Sequence, residues 1–312
     1  MRAGIRGGIR PLFTFGSLLL PVCFSWAGGK AGTNGAAFLN IGVGARAAAM
    51  GEAYTAVADD AYATVWNPAG LARLPRPEVA ATQTQWMQSG RHDVLAGAYP
   101  TSVGTFGMSA VTLSFEGIEK RSADTDVAEG TFGSLDAAYE LAYGHTVGDR
   151  LSLGLGVSYV RQTLNGVSAG APTGTVGALW QTPLSFLTLG AAVRNIGGSI
   201  QFEEEGDPLP VTAAFGAAAR FMNKKVLVSA DVRQVKNEDV KVGAGLEVSP
   251  ALYKDAVGHL RAGYRSDLQD TTDASGISLG LGVGFTHWGF DASWAPYGVL
   301  GDTFRYSFRY VF

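Results

Sequence analysis

The chain has 312 residues, 46% hydrophobic and 16% charged, with 24 Lys and Arg against 27 Asp and Glu, a net charge of −3. Charge well below the usual ~25%, together with 43 glycines and 11% aromatics, excludes a disordered chain, and the lack of a basic surplus excludes nucleic acid as a partner. Past the N-terminal leader no run of ~18 uncharged apolar residues could form a membrane helix, which leaves a soluble all-β protein or a membrane barrel.

Residues 1–27 read as an export signal: Arg2, Arg6 and Arg10, an apolar run from Leu12 to Phe24, then Ser25-Trp26-Ala27 as a small-x-small cleavage site. The only cysteine, Cys23, lies inside it, and Val22 makes a poor lipobox. The mature chain would therefore hold no thiol, no disulfide and no cysteine metal site.

Residues 28–77 are rich in Ala and Gly and predict a compact run of short helical turns. They carry the acidic pair Asp59-Asp60 and end on Trp66-Asn67-Pro68-Ala69-Gly70-Leu71. Asn67 is a natural N-cap, and Pro68 a natural first helical residue, because it lacks the amide that would be orphaned there. With so few large apolar side chains the segment buries little surface alone, so it must sit inside something larger.

From Glu78 to Phe312 residues alternate with period 2 in segments of roughly ten. Leu151, Leu153, Leu155, Val157 and Tyr159 alternate with Ser152, Gly154, Gly156 and Ser158; Val240–Val248 and Ile277–Phe285 repeat the pattern. Fourteen strands are expected, near 79–89, 91–101, 103–115, 134–145, 150–162, 173–182, 186–195, 210–221, 225–235, 240–249, 257–267, 275–286, 288–295 and 303–312. The connections mostly alternate between tight turns and longer polar loops (116–133, 163–172, 196–209, 266–274), as periplasmic turns and outer loops do. The outer loops are acidic, through Glu116, Glu119, Asp124, Asp126, Glu129 and Glu203–Glu205, which reads as solvated charge.

The last strand sets Phe304, Tyr306, Phe308, Tyr310 and Phe312 on one face and Arg305, Ser307 and Arg309 on the other. Such an aromatic face is an aggregation hazard in water and a girdle in lipid. Trp86, Tyr99, Tyr143, Trp180, Trp288, Trp294 and Tyr297 also suit interfacial positions. The opposite, inward set mixes small residues with Asp136, Glu140, Arg194, Arg220, Asp231, Arg233, Lys241, Glu247, Arg261, Arg265, Asp291, Arg305 and Arg309. Charges inside a barrel persist when paired, for example Asp59 or Asp60 with a luminal arginine. Fourteen strands enclose more space than their own side chains fill, so a plug is required.

Catalytic and metal patterns are weak. Gly276-Ile277-Ser278-Leu279-Gly280 matches G-x-S-x-G but lies within an alternating strand, and His92, His145, His259 and His287 are scattered. No enzyme activity, cofactor or metal is expected.

The order of small-residue helix, Ala-Asp-Asp-Ala at 58–61 and Trp-Asn-Pro-Ala-Gly-Leu at 66–71 resembles the N-terminal hatch of FadL-type outer-membrane barrels, most of all their PorV/PorQ relatives. The terminal Phe312 resembles the signal that such barrels present to their assembly machinery. The resemblance implies an all-β, 14-stranded antiparallel transmembrane β-barrel (78–312) in the outer membrane of a diderm bacterium, with a helical hatch (28–77) in its lumen. Its partners would be outer-membrane lipid, the barrel-assembly machinery and other envelope proteins. The function implied is a non-enzymatic accessory barrel of type IX-like protein secretion or surface attachment; the alternative is a FadL-type channel for hydrophobic small molecules.

Overall fold

The computed structural model describes residues 34–124, 127–202, 206–268, 276–297 and 301–312. The expected export signal lies outside them, as do Asp126 and Glu203–Glu205. Among the described residues fourteen antiparallel strands form one ring. They are β1 Glu78–Gln85, β2 Arg91–Thr101, β3 Gly104–Lys120, β4 Gly130–Val147, β5 Leu151–Leu164, β6 Val167–Gln181 and β7 Leu187–Gly197, followed by β8 Thr212–Phe221, β9 Val226–Val235, β10 Val240–Val248, β11 Ala256–Arg265, β12 Ile277–Gly284, β13 Trp288–Pro296 and β14 Asp302–Val311. Each pairs with its neighbours in chain order, and β1 pairs with β14 from Glu78↔Val311 to Gln85↔Phe304, which leaves no free edge.

The period-2 pattern works as expected. Leu155 and Val157 are 61% and 66% exposed on the outside of β5, while Ser152 on the same strand is buried. On β14 the five aromatics face outward and Arg305 and Ser307 inward. This exterior suits hydrocarbon. Tyr99, Trp180, Phe186, Phe221, Trp288 and Phe312 mark the rim where the chain termini of the ring meet, and Phe290 packs on Phe308 at 4.9 Å above it.

Several outer connections differ from expectation. The segment 163–172 is no loop: β5 and β6 run on to a two-residue turn, Asn165-Gly166, with φ of 49° and 83°. That is the left-handed pair a tight hairpin needs, and Asn-Gly supplies it at little cost. Likewise β3 and β4 extend to Lys120 and Gly130, with a bulge between Phe115 and Ile118, so Glu116 and Glu119 lie on a strand. Conversely, β1 stops at Gln85, and Met87–Ser89 form a 3-10 turn. Within 196–209 a short strand pair, Ser199–Gln201 with Gly206–Pro208, folds over the mouth and buries Ile200 and Leu209.

Residues 34–77 occupy the lumen. They contain a 3-10 turn at Ala37–Asn40, helices α1 Ala45–Ala49 and α2 Ala63–Trp66, and a 3-10 turn at Pro68–Arg73. Ala45, Ala47, Ala48, Ala49, Trp66 and Leu71 are all buried. The segment enters from the outer end, where Asn34 Nδ2 donates to the Lys236 carbonyl, the Gly35 amide to the Pro208 carbonyl and the Ala36 amide to Gln162. It leaves at the opposite rim, where the Phe312 amide donates to the Pro77 carbonyl.

Candidate functional site

The seat of the hatch is a trench of glycines on the inner wall. A Cβ at Gly144 would lie 2.7 Å from the Pro68 carbonyl oxygen, and one at Gly190 2.6 Å from that of Thr55. At Gly154, Gly177, Gly243 and Gly263 it would overlap hatch atoms outright. The inward Gly and Ser positions of the alternating pattern are therefore contact positions, where backbone lies on backbone and large side chains cannot enter.

Polar anchors complete the seat. Asn67 caps the 3-10 turn as predicted, accepting from the Ala69 amide at 3.2 Å. Its Nδ2 reaches the Thr55 carbonyl at 2.9 Å and also the Ala178 and Ala191 carbonyls of β6 and β7. One side chain thus ends a helical turn and clasps the hatch to the wall. Trp66 Nε1 donates to the Val43 carbonyl at 3.0 Å, and Pro68, Ala69 and Gly70 are buried against the trench. Asp231 Oδ2 accepts from the Tyr54 and Thr55 amides, Glu78 from the Ala61 amide, and Ser307 Oγ from the Ala45 amide.

The charges form two clusters. In the first, Arg46 makes a two-pronged contact with Glu247 (2.8 and 2.9 Å) and pairs with Asp59 at 2.6 Å; Asp59 also accepts from Arg220, and Arg261 bridges Glu247 and Asp291 at 2.6 Å each. In the second, Glu52, fully buried on the hatch, is shared by Arg233 at 2.6 Å and Arg265, whose other nitrogens hold Asp267. Both clusters join a hatch residue to strands on the wall, and paired geometry of this kind is what lets charge persist away from water.

Asp59 pairs as expected, but among the described residues Asp60 pairs with no arginine: it accepts from the Tyr54 hydroxyl at 2.6 Å and the Tyr62 amide at 3.1 Å. Burial pushes its carboxyl up, whereas for Asp59 the Arg46 and Arg220 guanidiniums overcome burial and hold it below the usual range. Glu52 is likewise held low, burial being outweighed by Arg265, Arg233 and Arg305. In the outer connection Asp267 is held down to about 2 against its burial, chiefly by Arg265.

Of the predicted luminal arginines, Arg233, Arg261 and Arg265 lie in these clusters. Arg305 is buried and contacts no carboxylate among the described residues, and Arg309 is half-buried opposite Gly289. Two predicted girdle residues face the wrong way: Trp86 and Tyr297 turn over the mouth, packed edge to face at 5.2 Å, because each covers a luminal guanidinium. Glu52 and Arg46 escaped the sequence reading. Each is a lone charge in an Ala/Gly-rich stretch that must be buried, and that signal could have found them.

Above the hatch a cavity with about 30 Å³ of free space is lined by Phe38, Leu39, Ile41, Val111, Glu140 and Arg194. That holds a water or two and no hydrocarbon. Arg194 stacks on Trp66 at 5.2 Å, next to Asn195, whose φ of 59° marks a bulge against β6 that turns both side chains inward. Among the described residues no group of three His, Cys, Asp or Glu is placed to hold a metal.

A closed fourteen-stranded barrel with an oily wall and a polar-anchored luminal hatch is the fold of solved FadL-like channels. The chain is similar to CymD, a monoaromatic hydrocarbon channel (14% identity, TM-score 0.61, over 87% of this chain and 98% of that one). It is also similar to the toluene transporter TbuX of Ralstonia pickettii (16%, 0.59, 87% and 98%) and to a FadL homologue of Pseudomonas aeruginosa (13%, 0.58, 86% and 98%). At these identities the likeness is one of fold. Residues 28–162 match an uncharacterised protein family, UPF0164. No curated protein sequence matches the chain.

Proposed function

We propose that the protein is a FadL-type channel that admits hydrophobic small molecules through the outer membrane, after export directed by residues 1–27. The observation that carries this reading is the hatch itself. It fills the lumen and packs an apolar face on wall residues such as Val94, Val111 and Leu227, yet its polar anchors are hydrogen bonds and ion pairs that can re-form, so it can shift without unmaking the wall. Monoaromatic hydrocarbons, named for two of the structural neighbours, are the first substrates to try. In a strain lacking its own FadL-type channel, expression should raise uptake of labelled toluene above vector control; uptake equal to control overturns the reading.

The secretion-accessory role implied by the PorV/PorQ resemblance draws no support from the outer face. Its β5–β6 loop is a two-residue turn, and its β7–β8 connection folds back over the mouth instead of presenting a docking platform. The aromatic β14 ending on Phe312 is proposed as the handle for the assembly machinery.

A further inference from the structure

Four inward side chains on adjacent strands near the outer mouth have hydrogen-bonding capacity that nothing in the described structure meets. His92 on β2 lies opposite Thr84 on β1, Thr84 opposite Arg305 on β14, and Arg305 opposite Ser293 on β13, so they form one row across four strands. All four are buried, at 0%, 0%, 1% and 5% exposure in that order. Both ring nitrogens of His92, the hydroxyls of Thr84 and Ser293 and Nε of Arg305 lack a partner among the described residues. Buried polar atoms are nearly always paired, and five orphans in one row mark a place where something else binds.

The charge around the row names its sign. Arg233 and Arg265 share Glu52, Arg265 also holds Asp267, and Lys241 holds Glu238 at 2.7 Å. Among the described residues Arg305 has no carboxylate partner: its Nη2 donates to the Tyr297 hydroxyl at 3.3 Å, and its guanidinium lies 5.7 Å from the Trp86 ring centroid. Glu52 is near enough to feel Arg305, but its two oxygens are taken. A buried guanidinium without a counter-ion is costly. Two hydroxyls, an imidazole N–H and a guanidinium N–H are all donors, and Trp86, 6.4 Å from His92, roofs them with Tyr297.

We propose that Thr84, Arg305 and Ser293 form a binding site for one small monovalent anion, a halide or a carboxylate, beneath the Trp86–Tyr297 roof, with His92 at its flank. The site is independent of what the channel carries. The anion supplies the charge Arg305 lacks and acceptors for the orphaned donors, and it ties β13, β14 and β1 together at the seam that closes the ring.

The test uses the full mature barrel in detergent, exchanged into gluconate at constant ionic strength and titrated with bromide. The unfolding temperature should rise saturably, and crystals grown in bromide should show an anomalous peak between Arg305 and Thr84. Displacement of that peak by acetate would assign a carboxylate, and persistence a halide. The double variant Thr84→Val, Ser293→Ala keeps Arg305 and the fold, and should weaken the bromide midpoint about tenfold, as loss of two modest hydrogen bonds requires. Ordered water in place of bromide, or a temperature rise that never saturates and is unchanged in the double variant, overturns the proposal.

Discussion

Glu52 has no oxygen to spare, since Arg233 takes one and Arg265 the other; Arg265 also holds Asp267, whereas Arg233 makes no other ion pair among the described residues. Glu52→Gln should therefore cost about 3–5 kcal/mol, because it leaves the buried Arg233 guanidinium without its counter-ion, and it should show as a lower urea midpoint for hatch release. The same group sets an acid limit. Its folded pKa lies below the ordinary value of 4.5, so its contribution is complete above that pH and is lost only as pH falls through the lower folded value. Asp59 acts in the same direction and Asp60 in the opposite one. The loss of the Glu52 and Asp59 contributions should thus appear in Trp66 fluorescence only below about pH 4.5, whereas Asp60, pushed up by burial, begins to protonate above its ordinary value. Asn67→Ala should cost about 2–3 kcal/mol, roughly one for the cap and one for each strong clasp bond, read from thermal unfolding in detergent.

Single elements were legible to different degrees. The alternation in β5, β10, β12 and β14 predicts which residues face lipid, because one pleat sends every second side chain outward whatever lies beyond. The strand ends around Asn165-Gly166 were not legible, since polar residues continue a hairpin above the membrane as readily as they form a loop. A sharper element-scale prediction concerns the trench. Gly154→Ala would drive a Cβ into Pro68 and Ala69, whereas Gly130 faces open space. The first substitution should cost about 1–3 kcal/mol and expose Arg73 to trypsin; Gly130→Ala should do neither.

For the whole molecule, the hatch and the ring are separable in principle, since the wall closes through β1 and β14 without hatch residues. Deleting 34–73 should give an assembled barrel with large, steady conductance steps in planar bilayers, where the full chain gives none; a silent deletion barrel would show that another element blocks the lumen. If Phe312 is the proposed assembly handle, removing it should lower the assembled fraction in vivo while leaving refolding in detergent unchanged, because its exposed ring adds nothing to the interior.

Sequence alone determined the ring of strands, its oily outside, the need for a plug and the capping role of Asn67. All of these follow from local periodicity, volume and backbone chemistry. Tertiary structure decided which charges meet: that Glu52 is shared, that Asp59 and not Asp60 takes arginines, that Trp86 and Tyr297 fold inward, and that Arg305 is left without a carboxylate. Pairing across a lumen depends on shear and on how the hatch is threaded, and neither leaves a mark on the order of residues along any one strand.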